Sequence, residues 1–116
     1  MFLLSNEYSH LTKLMDVSEL RQRVISQNLA NVNTPGYQRL DVVFEEELAR
    51  QIRSGETATP GLQPKVLVEE GLPPRADGNT VDVDREIGQL NKNAMLFQTY
   101  SQLLSSQFDL MRRAIR

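Results

Sequence analysis

Few residues in this chain of 116 have the types and spacing that chemistry needs. His10 is the only histidine and there is no cysteine, so a metal site would rest on carboxylates alone. Glu45, Glu46 and Glu47 could suggest acid–base work or cation binding. Consecutive helix positions point in different directions, however, and carboxylates at a helix start meet the positive end of its dipole. The stretch "DGNTVDVD" spaces its acids somewhat like a calcium loop, but it lacks the glycine at the sixth position, and the twelfth, counted from Asp77, is Gly88 rather than a glutamate. It reads as a turn leading into a capped helix. No Ser-His-Asp arrangement, phosphate loop or dinucleotide fingerprint is present. The sequence therefore predicts a protein that is not an enzyme, with no metal and no cofactor.

Composition narrows the classes further. Apolar residues make up 40% and charged residues 24%, ordinary values for one domain with a modest core. Aromatics are 6% with no tryptophan, so that core is mostly aliphatic. The net charge is −2 with no basic block, which leaves no positive face for nucleic acid. "MFLL" is apolar but is followed at once by "SNEYSH", too short for a signal-peptide core or a membrane span. Export from the cytoplasm would need a route that dispenses with such a peptide.

What must carry the function is then architecture. All five prolines lie between Pro35 and Pro74, and five of the six glycines between Gly36 and Gly78. The two ends are nearly free of helix breakers. Residues 5–33 carry an amphipathic pattern in which Leu4, Leu11, Ser18, Ile25 and Val32 recur every seven. Residues 82–115 carry a stricter one, with Ile87, Leu90, Ala94, Phe97, Ser101, Leu104, Phe108, Met111 and Ile115 alternating spacings of three and four. That is a heptad seam with one polar member, Ser101. At 1.5 Å per residue these helices would be about 40 and about 50 Å long. Residues 41–53 predict a short third helix, capped by Asp41, lined by Phe44, Leu48 and Ile52, and stopped by Gly55. Residues 54–81 read as turns and irregular loop at "TPG", "GLPP" and "DGN"; "KVLVEE" resembles a strand with nothing in the chain to pair with. The expected fold is mainly α, a coiled-coil-like pair of terminal helices with the short helix and the loop region, 34–81, between them, in a single domain over 1–116.

One helical hairpin has one inner face, and this sequence offers more than one apolar row. Leu96, Leu103 and Leu110 lie seven apart and off the first seam. Val17, Leu20 and Val24 do the same more weakly in the first helix. Apolar rows of this length mark an interaction surface. The pattern predicts helices that pack against other chains, and a monomer that is only marginally stable.

The stretch "SQNLANVNTPGYQRLDVVFEEEL" resembles the N-terminal signature of flagellar rod and hook proteins, a long helix that ends in an A-N-x-x-T-P-G-Y phrase. Here that phrase supplies Asn31, Thr34, Pro35, Gly36 and Tyr37. The far end, "DGNTVDVDREIGQLNKNAMLFQTYSQLLSSQFDLMRRAI", is similar to the proximal-rod branch of the same family. Its "LFQTYSQLL" stands where a sister branch carries R-x-Y-Q-A-N. The resemblance implies an axial structural protein that polymerises helically into the periplasmic rod of the flagellar basal body, transmits torque and surrounds the export channel. Its implied partners are copies of itself, other rod and basal-body proteins, and the type III export apparatus, which takes unfolded chains without a cleaved signal peptide. An export-gate phrase of Phe, three residues and an apolar residue matches Phe44 and Leu48. The same pair would also serve simply to pack the short helix. Read from periodicity alone, a cytoplasmic coiled-coil adaptor remains the alternative, as does another member of the family.

Overall fold

In the computed structural model the described residues are 2–55 and 61–115, with side chains described from Tyr8 onward. The side chain of Leu4 of the first heptad row, and Thr59 and Pro60 of the "TPG" turn, therefore lie outside what is described. The element order is α1 (Phe2–Ala30), β1 (Leu40–Val43), α2 (Glu45–Ser54), β2 (Lys65–Val68) and α3 (Val83–Ile115). The fold is mainly helical and elongated, 63 × 27 × 16 Å.

The two long helices form where the chain lacks breakers, and each stops for a visible reason. α1 tightens at its end, where Val32 N–H reaches back only to the Leu29 carbonyl at 3.3 Å, and Pro35 then forbids continuation. α3 starts on Asp82, whose Oδ1 accepts from the backbone N–H of Asp84 at 3.0 Å and of Arg85 at 3.4 Å. Asp84 and Glu86 occupy its first turn, Arg112 and Arg113 its last, both matched to the dipole. The helices run antiparallel: Asn93 Nδ2 donates to the Ser18 carbonyl at 2.8 Å, and the rings of Tyr8 and Phe108 lie 5.9 Å apart further along. Among the described residues no helix is long and apolar enough to cross a membrane.

The middle of the chain departs from expectation in three ways. The strand-like "KVLV" does have a partner, because β1 and β2 pair antiparallel with Leu40 opposite Val68 and Val43 opposite Lys65. β1 had been absorbed into the expected third helix. Its Leu-Asp-Val-Val run favours a strand on its own, and only from Glu45 do the residues favour a helix. Asp41 consequently sits within β1 and is not a helix cap; α2 begins after Phe44, which makes no side-chain cap. Gly55 ends α2 as expected, in the left-handed region at φ 76° with its N–H on the helix's last carbonyls.

The third departure concerns the core. Val17 and Val24 cluster with Val42, Phe44 and Leu48, flanked by Leu14, Leu20, Leu40 and Leu62. The minor row of α1, expected to await another chain, is covered from within. The hairpin and α2 fold back onto it, and a side chain every third or fourth residue of α1 is enough to seat one strand and one helical turn.

Candidate functional site

The phrase at the end of α1 forms a tight turn. Tyr37 N–H donates to the Thr34 carbonyl at 3.2 Å, which places Pro35 and Gly36 in the two central positions. Proline presets the first, and Gly36, at φ 73°, accepts the positive φ that the second requires. Thr34 Oγ1 donates to Asn31 Oδ1 at 3.1 Å, and Asn31 Nδ2 donates back to the Gln27 carbonyl at 2.8 Å. The side chains of the phrase thus satisfy part of the helix end themselves.

The "DGN" turn completes the rest. Asn79 is fully buried, and its Nδ2 faces the carbonyls of Asn31, Val32 and Thr34 at 2.9, 3.1 and 2.9 Å. Its Oδ1 accepts from Val81 N–H at 2.8 Å. One side chain therefore caps the carbonyl end of α1 and orders the entry to α3. Gly36 N–H donates to the Asp77 carbonyl at 2.8 Å and Thr80 N–H to the Tyr37 carbonyl at 3.0 Å. The Arg75 guanidinium also reaches the Val32 carbonyl. Two segments more than forty residues apart, the turn after α1 and the turn before α3, are clasped together.

Beneath the clasp lies a buried charge network. Arg39, only 3% exposed, binds Glu86 through Nε, Glu69 at 2.7 Å and Asp41 at 3.5 Å. Glu86 is wholly buried, with Asn28 Nδ2 3.4 Å from its other oxygen. Asn28, also fully buried, donates to the Leu40 carbonyl at 2.9 Å and accepts from Leu40 N–H and the Tyr37 hydroxyl, both at 3.0 Å. Arg85 closes the chain of contacts on Glu69 at 2.8 and 3.0 Å. Burial alone would lower the affinity of the Arg39 guanidinium for its proton; the hydrogen bond to Glu86 and the surrounding carboxylates outweigh it and hold its pKa above the usual value. Burial opposes the ionised Glu69 too, yet Arg85 and Arg39 bring its carboxyl below the ordinary range. Burial pushes the Tyr37 phenol up. Every charge here is taken up by another, so the arrangement holds segments together and leaves no group poised for acid–base work.

Along α3 the row turned toward α1 is polar. Glu86, Asn93 and Gln107 are buried, and Tyr100, half-buried, completes their spacing of seven. The heptad residues that the sequence singles out distribute around this row. Leu11 and Ile25 of α1 are buried; Val32, Leu90, Phe97, Ser101, Leu104 and Met111 are half-buried; Ile87 and Phe108 are exposed. In the second row Leu96 is half-buried, whereas Leu103 and Leu110 are 50% and 51% exposed. Met95 and Ile115 are exposed as well. Phe44 and Leu48 are both inside the core. The signature residues are brought together with Asn79; the apolar rows of α3 alternate between half-buried and exposed positions, with Leu103, Phe108, Leu110 and Ile115 exposed toward its far end.

Sequence reasoning missed Asn28, Arg39, Glu69, Asn79 and Glu86. The available signals were an asparagine inside a helical run and an arginine two residues after the turn phrase, neither of which stands out until its partner is known.

The family model described as Flagella basal body rod protein matches residues 19–38, from the middle of α1 through the turn and up to the buried Arg39. The chain is 32% identical to the flagellar basal body rod protein FlgB of Escherichia coli (strain K12), over 83% of each chain. It is 27% identical to FlgB of Proteus mirabilis (strain HI4320), over 97% of this chain and 96% of the relative. With FlgB of Borrelia hermsii the identity is 28% over 99% and 98%. The likeness to the Escherichia coli protein, over most of both chains, means that this chain belongs to the FlgB family of flagellar basal body rod proteins.

Proposed function

We propose that this chain is a structural subunit of the bacterial flagellar basal body that polymerises helically into the proximal rod, around the export channel. One observation carries the reading: α3 turns a polar row inward and leaves two apolar strips half-exposed or exposed on either side of it, Leu103 with Leu110 and Phe108 with Ile115, that other subunits of the rod would cover. The names of the relatives agree with it. Burying a half-exposed leucine or phenylalanine contributes on the order of 1 kcal/mol, so a row of them is enough to hold neighbouring helices together. The partners are further copies of the chain and other rod proteins.

Delivery by the flagellar type III apparatus belongs to the same proposal, with Phe44 and Leu48 as the phrase that the gate reads. Their burial in the folded chain restricts that role to the unfolded state, and once folded they serve the core.

The test is assembly in cells carrying Leu103→Glu or Ser101→Glu. Leu103 is half-exposed, so its variant should fold normally and fail to build a rod, leaving the cells non-motile. Ser101→Glu places a charge in the half-buried seam and should fail in the same way. Normal motility in both variants would overturn the reading of α3 as the assembly surface.

A further inference from the structure

We infer that the free edge of β2 pairs with the same edge of a second copy of the chain, antiparallel and two-fold symmetric, with Lys65 of each copy opposite Glu69 of the other. The ladder shows which backbone groups are available. Leu40 gives both its N–H and its carbonyl to the Asn28 side chain, and the Val42 carbonyl accepts from Arg21 at 3.1 Å, so these two residues face α1 and not β2. Glu69 N–H reaches the Arg39 carbonyl at 2.9 Å. The bonds between the strands therefore run through Asp41 with Leu67 and Val43 with Lys65. Val66 and Val68 must then turn their N–H and carbonyl groups to the other side. The sheet has two strands among the described residues, so that side is open. All four residues of β2 are exposed.

The occupant follows from the sequence of the edge itself. Read against a reversed copy, Lys-Val-Leu-Val-Glu places lysine against glutamate at both ends, valine against valine, and leucine against leucine on the axis. Val66 of one copy meets Val68 of the other with both sets of backbone groups facing, which is the geometry a hydrogen-bonded pair requires. Shifting the register by one pair loses the match between Lys65 and Glu69. A shift one way also sets Pro64, which has no N–H, opposite Val68. Glu69 is already held in place by Arg39 and Arg85, so Lys65 of the second copy meets a carboxylate of fixed position. The two-stranded ribbon becomes a four-stranded sheet, the size at which sheets become stable in their own right. A two-fold contact closes on itself, so this is a state of the free subunit and not a step of filament growth.

The contact is small, well under the roughly 1,200 Å² of lasting complexes, and exchanges rapidly. Disulfide trapping suits it, because the chain has no cysteine of its own. Leu67 faces its own copy across the axis in a non-hydrogen-bonded pair, where Cα atoms are about 4.5 Å apart, within the span of a disulfide. Under mild oxidation Leu67→Cys should form linked dimers about tenfold faster than Val43→Cys, an exposed position on the inner strand. Val66→Pro added to Leu67→Cys removes an outward N–H and leaves the inner ladder intact; trapping should fall to the control rate with an unchanged far-ultraviolet spectrum. Lys65→Glu should slow trapping at low salt and recover it at about 1 M salt, where the Debye length is about 3 Å, a rescue that misfolding would not show. Equal trapping of Leu67→Cys and Val43→Cys, or trapping indifferent to both Val66→Pro and Lys65→Glu, would overturn the inference. Leu103→Glu should leave trapping unchanged, so a failure of the rod reading is separable from a failure of this one.

Discussion

Arg39 and Glu86, 47 residues apart, form an ion pair whose carboxylate is completely buried. The pair joins the second residue after the signature turn to the first turn of α3. Arg39→Met would leave Glu86 in the interior without its counter-charge, and should cost about 3–5 kcal/mol in a urea titration. Replacing Arg39 and Glu86 together by methionine should cost clearly less than the sum of the single changes. The two residues touch, so their effects are not additive.

Asn79 offers a sharper test of the clasp. Asn79→Ala removes the Nδ2 contacts to three carbonyls after α1 and leaves the buried Val81 N–H without its acceptor, an expected loss of about 1–3 kcal/mol. Asn79→Asp keeps the shape but aims a carboxylate oxygen at the same carbonyls. It should be more destabilising than Asn79→Ala, which a thermal melt of the three proteins would show.

Acid should loosen the network. The carboxyls of Glu69 and Glu45 are both held below the ordinary glutamate value of 4.5, against the effect of burial, by Arg85 with Arg39 and by Arg21 respectively. A depressed folded pKa means stability that is complete above 4.5 and is lost as pH falls through the folded value. The urea midpoint should therefore be flat from neutral pH to about 5 and fall below it. Glu69→Gln should start lower and fall less steeply.

Phe44 and Leu48 separate export from packing. Leu48→Ala in the core should cost about 2–5 kcal/mol. An exporter that takes unfolded chains is indifferent to that loss. If the gate reads the pair, Phe44→Ala and Leu48→Ala should remain in the cytoplasm of cells that lack other rod parts. Secretion at the normal rate without rod assembly would leave them only the packing role.

The sequence made the long elements plain and the contacts between them obscure. The starts and stops at Asp82, Gly55 and Pro35 are local chemistry, readable within a few residues. The pairing of β1 with β2 is not, because each strand is four residues long and the pair spans α2. The same holds for the facing row of α3. A search for apolar periodicity finds Ile87, Ala94, Ser101 and Phe108, and passes over Glu86, Asn93 and Gln107 one position earlier. Glu86 and Asn93 face inward onto Arg39 and the Ser18 carbonyl, and such partners cannot be read from spacing. Asn79 was legible as a turn residue; its capping of a helix that ends some fifty residues earlier was not.

The distance that the clasp spans along the chain also sets the order in which the fold can close. Asn28, Asn31 and Arg39 are made early, but Asn79 and Glu86 lie far downstream. A chain that emerges N-terminus first, from a ribosome or from any narrow passage, exposes α1 with its end only partly capped until the turn before α3 follows. Until then the helix end has only the contacts of its own turn and Arg39 lacks Glu86, and the segment stays easy to thread. The signature turn is thus completed only after more than forty further residues have emerged, by the turn that leads into the other helix.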